Sequence, residues 1–192
     1  MPTCLDLVWH SGLEGVALQI QLDQCHPHFS CEFEVCSPHS PGPVNDAEEV
    51  AFLLINPLHF DKQRGVIVPA AFQELTNRDL SVLRLTYATK HDAEATKDDL
   101  VARGADRIPP QMRLVDEVCI ATVSDLRADV APHGRLIGVF DTALDGKSSH
   151  ASLFTNEVVL SDARLRKVVR QRVHYVMTRR RERYDDVYEG LP

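Results

Sequence analysis

Alternating apolar and polar positions divide the chain into a β-rich start, a mixed middle and a helical end. Val16, Leu18, Ile20 and Leu22 alternate with Ala17, Gln19, Gln21 and Asp23, a period of two that gives a strand one apolar face. Phe29, Cys31, Phe33 and Val35 alternate with Ser30, Glu32, Glu34 and Cys36 in the same way. Leu5 to His10 reads as a further strand that pairs with the first across Ser11 to Gly15. Residues 1–45 are therefore predicted to form an N-terminal β unit within the same domain. The loop from Ser37 to Asp46, with three prolines and a glycine, closes it.

The body, residues 46–192, opens with Val50 to Ile55. This continuous apolar run suits a strand buried on both faces, or a short helix, and Asn56-Pro57 stops it. Gly65 to Val68 and Leu80 to Thr86 read as further strands, the second placing Leu80, Val82 and Arg84 on one face. His91 to Arg103 is a middle helix, with Gly104 at its C-terminal end. Glu117 to Val123 and Arg135 to Asp141 are two more strands. The last element is predicted as a helix over 161–184. Ser161 is its N-cap, and Leu165, Val168, Val169, Val173 and Val176 form its apolar stripe. The expected fold is α+β: a mixed, largely antiparallel sheet with a middle helix and a basic amphipathic C-terminal helix.

Composition narrows the class. A length of 192 residues with 44% hydrophobic and 26% charged side chains is that of a single globular domain. The longest apolar run, Val66 to Phe72, falls far short of the roughly 20 residues that span a bilayer. No secretory signal pattern opens the chain. Five cysteines, an odd number, argue against a disulfide framework, so a cytoplasmic location without membrane association is expected. Net charge is −7, but residues 161–184 carry nine Lys or Arg and two acids, a local charge of +7. An acidic body ending in a basic element is the largest-scale feature of the sequence.

Candidate chemistry is sparse. Cys25, His28, Cys31 and His39 are the residues that would hold a metal. There is no C-x2-C knuckle among them, and a strand with incidental thiols is the preferred reading, so no metal or cofactor is expected. Gly146-Lys147-Ser148 resembles the end of a phosphate-binding loop. The glycine required five positions earlier is Asp141, whose carboxylate repels phosphate, and this excludes an NTPase of that kind. Ser148 and His150 share a face in an extended chain, but no G-x-S-x-G turn presents the serine. If the chain is an enzyme, His59, Arg84, Asp141 and His150 are its candidate residues, gathered in one cleft that takes a nucleotide or RNA.

The segments Ile55-Asn56-Pro57, Gly65-Val66-Ile67 leading to Ala71-Phe72, Leu80-Ser81-Val82, and the strand reaching His150-Ala151 together resemble a loose class of small bacterial cytoplasmic proteins of unknown function. The resemblance covers about half the chain and rests on two- or three-residue matches. It implies a bacterial cytoplasmic origin and brings no activity with it.

The leading functional expectation is a noncatalytic accessory or adaptor protein of a bacterial multiprotein system. It binds another protein, with an acidic face, through Arg172, Arg179, Arg180, Arg181 and Arg183. In this reading the first half of the basic helix docks on its own sheet, and the end from Thr178 onward meets the partner. The alternatives are the small enzyme just described and nucleic-acid binding through the same helix.

Overall fold

The apolar run at the start of the body becomes β1 (Glu49–Asn56), a central strand buried on both faces. Val50, Phe52 and Leu54 enter one hydrophobic cluster, while Ala51, Leu53 and Ile55 enter another, as side chains alternating across a doubly covered sheet must. The computed structural model describes all of Met1–Pro192. β1 pairs antiparallel with β2 (Leu80–Arg84) and with β3 (Leu114–Thr122). Beyond β2 lie β5 (His150–Thr155) and the edge strand β4 (Ile137–Asp141). The opposite edge is β6 (Arg181–Arg183), giving the order β4-β5-β2-β1-β3-β6. Every pairing is antiparallel, so the protein is α+β.

One face of the sheet packs against α5 (Ala163–Met177), the 3-10 turns Pro69–Thr76 and the short α3 (Val123–Arg127). Leu165, Val169, Val173, Val176 and Met177 of α5 are buried there beside Leu80, Val82, Val139 and Leu153. The other face carries two smaller clusters. Over β1 and β3 lie α2 (Lys90–Ala105) and α6 (Tyr184–Tyr188), which supply Ala93, Tyr184 and Tyr188. Over β4 and β5 lie the N-terminal residues, whose Phe29 meets Phe140 edge-on at 6.1 Å. No helix is long and apolar enough to cross a membrane.

The N-terminal β unit is not formed. Residues 15–25 are α1 (Gly15–Cys25), Asp6–His10 is a short π-helical turn, and residues 27–36 are a 3-10 turn followed by irregular turns. Leu18 and Leu22, four apart, satisfy a helical stripe as well as an alternation. The Ala, Leu and Gln content of α1 favours the helix. Gln19, which an alternating strand would expose, is buried and accepts hydrogen bonds from Thr155 N at 2.6 Å and Thr155 Oγ1 at 3.0 Å.

The C-terminal helix is also shorter than the predicted 161–184. Asp162, not Ser161, caps α5 by accepting from Arg164 N and Leu165 N, and a separate one-turn helix, α4 (Glu157–Ser161), precedes it under an Asn156 cap. The chain leaves the helix at Thr178, and Arg181–Arg183 pair with Glu117–Cys119 of β3. That pairing satisfies part of an otherwise open sheet edge. Gly104 lies inside α2 and does not end it. A Cβ there would come within 2.5 Å of Gln111 O and 2.6 Å of the Arg113 side chain, so the glycine permits close packing of the following loop. The 65–68 segment contributes one isolated bridge, Phe60 to Ile67, in place of a strand.

Candidate functional site

Arg84 ends β2 on the face shared with Leu80 and Val82, and its side chain is fully buried. A buried guanidinium requires acceptors for five N–H groups, and all five are present. Nε donates to Glu48 Oε2 and one Nη to Glu48 Oε1, both at 2.8 Å, a bidentate pair. The remaining donors reach Gly42 O at 2.7 Å, Pro43 O at 3.2 Å and Asp141 Oδ1 at 3.3 Å. Burial pushes the Glu48 carboxyl up, but hydrogen bonds from Arg84 and Asn45 and the Arg84 charge hold it below its ordinary value. Burial wins at Asp141, whose carboxyl is raised despite Arg84.

A second buried arginine repeats this arrangement nearby. Arg127 donates to Glu32 Oε2 at 3.2 Å, Asp46 Oδ1 at 2.7 Å, Val44 O at 3.0 Å and Val139 O at 3.1 Å. Glu32, fully buried, also accepts from Val139 N at 3.0 Å and from Arg135. The two clusters stitch the 37–46 loop and the N-terminal turns to the sheet. Arg84 retains no donor for a phosphate, and its role is structural.

The other enzyme candidates do not join Arg84 and Asp141 in a cleft. His59 lies beyond the far end of β1, where its Nδ1 accepts from Ile55 N at 3.0 Å and its ring stacks on Phe52. Because Arg84 pairs with Val50 at the near end, about six residues or roughly 20 Å of strand separate the two. His150 pairs with Leu83 across the sheet, and its side chain projects from the face opposite Arg84. There it belongs to a hydrogen-bond chain that sequence reasoning missed. His150 Nδ1 lies 3.0 Å from Thr142 O and 2.9 Å from Thr142 Oγ1. Thr142 donates to Ser152 Oγ at 3.0 Å, and Ser152 donates to Asp79 Oδ2 at 2.8 Å. The carbonyl contact requires Nδ1 to carry the proton. Burial lowers the His150 basicity below its ordinary value. Thr142 directs its hydroxyl proton away from His150, so the histidine does not activate it as a nucleophile.

Of the metal candidates, Cys31 Sγ meets Cys4, Cys25 Sγ accepts from Gln21 Nε2 at 3.1 Å, and His39 lies edge-on to Trp9 and 4.0 Å from Asp145. His28 is exposed in a left-handed turn. No group of three or more His, Cys, Asp or Glu side chains has metal-binding geometry. The groove at the β1–β3 end, about 380 Å³, is lined by Asn56, Phe60, Asp61, Asp116, Glu117 and Arg181, with Glu117 and Arg181 already ion-paired.

The arginines expected to meet a partner are tied to the chain's own acceptors. Arg179 lies 3.8 Å from Asp125, Arg180 reaches Glu49 and Glu182 at 2.6 Å each, Arg181 pairs with Glu117, and Arg183 lies 4.0 Å from Asp185. Arg172, half-buried, donates to Asp125 O at 3.0 Å. A run of unpaired cations lies earlier in the same segment. α5 contains Arg164, Arg166, Lys167, Arg170 and Arg172 and no acid, and none of these five makes an ion pair. Arg164, Lys167, Gln171 and Tyr175 recur at three- and four-residue spacing on the stripe opposite the buried one, and all four are exposed, Tyr175 at 59%. Arg166 and Arg170 flank this stripe.

The class defined by this geometry is an α+β domain in which the Arg84 and Arg127 guanidiniums are internally satisfied and one helix carries a run of cations without ion pairs. No protein-family model, no curated protein and no solved structure matches the chain.

Proposed function

We propose that the protein is a noncatalytic adaptor of a bacterial multiprotein system, acting in the cytoplasm, that binds an acidic protein face through the outward stripe of α5. The observation that carries this reading is the run of five cations from Arg164 to Arg172 without a carboxylate partner, beside the exposed Tyr175. Arginine and tyrosine are the residue types enriched where proteins meet. Local electrostatics give such a run no reason to exist. Arg164, Arg166 and Lys167 lie near the positive end of the helix dipole, and like charges three or four residues apart repel. A protein surface is favoured over a polynucleotide because the chain as a whole carries −7, which opposes a long polyanion while allowing a compact acidic patch to reach the helix.

The test is affinity capture with wild-type protein and with the charge-reversed triple variant Arg164→Glu/Lys167→Glu/Arg170→Glu, each shown to be folded by circular dichroism. The wild type is expected to retain a protein partner in a salt- and variant-sensitive manner, and reversing acids on that partner should restore binding to the variant. Identical capture by both proteins refutes the reading. Binding abolished by nuclease transfers the face to nucleic acid.

A further inference from the structure

Four of the five cysteines fall within the first 36 residues, and three of them share one buried cluster. Cys4 Sγ and Cys31 Sγ are 2.6 Å apart, Cys36 Sγ donates to Glu34 O at 3.4 Å, and all three side chains are buried under the N-terminal turn in the cluster containing Phe29, Phe140 and Phe154. We propose that Cys4 and Cys31 form a reversible disulfide that fastens the N-terminal turn to the 27–36 segment, with a small disulfide of the glutathione class as oxidant.

The separation of 2.6 Å is about half an ångström from a disulfide bond of roughly 2.05 Å. Two thiolates on one zinc, each about 2.3 Å from the metal in tetrahedral geometry, would lie much farther apart. The remaining cysteines do not share this placement. Cys119 lies in the cluster on the opposite face of the sheet, and Cys25 is held by Gln21 at the end of α1.

Cys4 is protonated and enclosed while the turn is closed, because the hydrogen bond with Cys31, the nearby Cys36 thiol and burial all raise its thiol. Access comes when the short turn that carries it opens. The turn is held by exposed hydrogen bonds between Thr3 and Asp6 at 2.8–3.1 Å, and segments held mainly by solvent-exposed bonds open locally. On the open segment the Cys4 thiolate attacks the oxidant, forming a mixed disulfide and releasing one glutathione thiolate. On closure the Cys31 thiolate attacks the Cys4 sulfur and displaces the second. One S–S bond is broken and one formed. The protein loses two electrons, and the two thiol protons go to the two released glutathiones. In a reducing cytoplasm the pair rests as thiols, and the cross-link forms when the glutathione pool is oxidised.

The experiment treats the full-length protein with oxidised glutathione, then alkylates free thiols and reads intact mass, linked peptides and thermal midpoint. The expected result is a Cys4–Cys31 peptide and three alkylated thiols. Because the bridge closes a loop of about 28 residues, the midpoint should rise on the order of 10 °C and return with dithiothreitol. Cys25→Ser and Cys36→Ser should retain the linkage, and Cys31→Ser should lose it. Five alkylated thiols in the treated wild type, a Cys4–Cys36 peptide in place of Cys4–Cys31, or stoichiometric zinc on the untreated protein would overturn the assignment. A linkage without a rise in midpoint would overturn its fastening role.

Discussion

Replacing Lys167 by Glu should stabilise the fold while weakening partner binding. Lys167 is exposed and makes no hydrogen bond or ion pair, so its removal breaks nothing. Its helical neighbours at i−3 and i+3 are Arg164 and Arg170. Each like-charge pair on a helix surface costs about 0.2–0.5 kcal/mol, and each opposite pair contributes a similar amount favourably. The substitution turns two repulsions into two attractions, a change of about 1–2 kcal/mol, or roughly 2–5 °C in thermal midpoint for a domain of this size. The gain is electrostatic, so it should shrink towards zero at about 1 M salt, where the screening length falls to roughly 3 Å. The assay is urea unfolding followed by circular dichroism, at low and high salt, beside a binding measurement with the captured partner. A lower urea midpoint, or a gain that salt does not diminish, would refute the view that these cations oppose one another. Undiminished partner affinity would refute their role in docking.

Arg84→Met should cost about 3–5 kcal/mol, because it strands the Glu48 and Asp141 carboxylates in the interior; adding Glu48→Gln and Asp141→Asn should recover much of that loss in urea titrations. His59, held neutral by burial and by the Arg113 charge, has its basicity lowered from 6.5 to about 4 in the fold. Its contribution is therefore complete above pH 6.5 and lost as pH falls towards 4, amounting to about 3 kcal/mol, and His59→Asn should flatten the urea midpoint across that window. Glu48, lowered in the fold, adds acid sensitivity below the ordinary carboxylate value, whereas raised Asp141 acts in the opposite sense. Deleting residues 178–192 removes β6 together with buried Tyr184 and Tyr188, and should cost more than about 5 kcal/mol, seen as lost near-ultraviolet ellipticity and early proteolysis. Gly138→Ala sets a Cβ 2.6 Å from the Phe140 ring and 2.7 Å from Phe29, and should lower stability by about 1–3 kcal/mol by overpacking.

Strands β1 to β4 were legible, although the first also suited a short helix, whereas β5 was not read as an element and β6 was taken into the last helix. Val50 to Ile55 is too short and too apolar for a surface helix, and Leu80, Val82 and Arg84 do share one face. The first 45 residues were misread because the two periods overlap where they matter. Leu18 and Leu22 are separated by four, which is two steps of a strand and about one turn of a helix. The deciding facts are the helix-forming Gln19 and Gln21 between them and the inward use of Gln19 by Thr155, a contact 136 residues away. Glu32 was hidden for the same reason. As part of an alternation it belonged on a solvent face, but in the structure it accepts hydrogen bonds from Arg127, Arg135 and Val139. The end of the last helix depended on an edge of β3 that a linear pattern does not display. The Arg179 to Arg183 run has no helical terminator, yet pairing with Glu117 to Cys119 and ion pairs to Glu49 and Glu117 draw it into a strand.

Charge counting picked out the run densest in arginine, and that run is the one most engaged by the chain's own acids, for a reason that generalises. A cation acts on a partner through donors and charge that its own chain has not already engaged. By that measure the densest cluster, Arg179 to Arg183, is the least available, since each of its arginines faces one of Asp125, Glu49, Glu182, Glu117 or Asp185. Arg84 is the extreme case, with five donors on five internal acceptors. The sparser run in α5 has five charges against four and no carboxylate ion-paired to it, and its helix buries a complete apolar stripe on the opposite side. That stripe fixes which way the cations point. The valines that dock α5 on the sheet thereby turn Arg164, Lys167 and Tyr175 outward together, so the same residues that stabilise the fold define the face available to a partner.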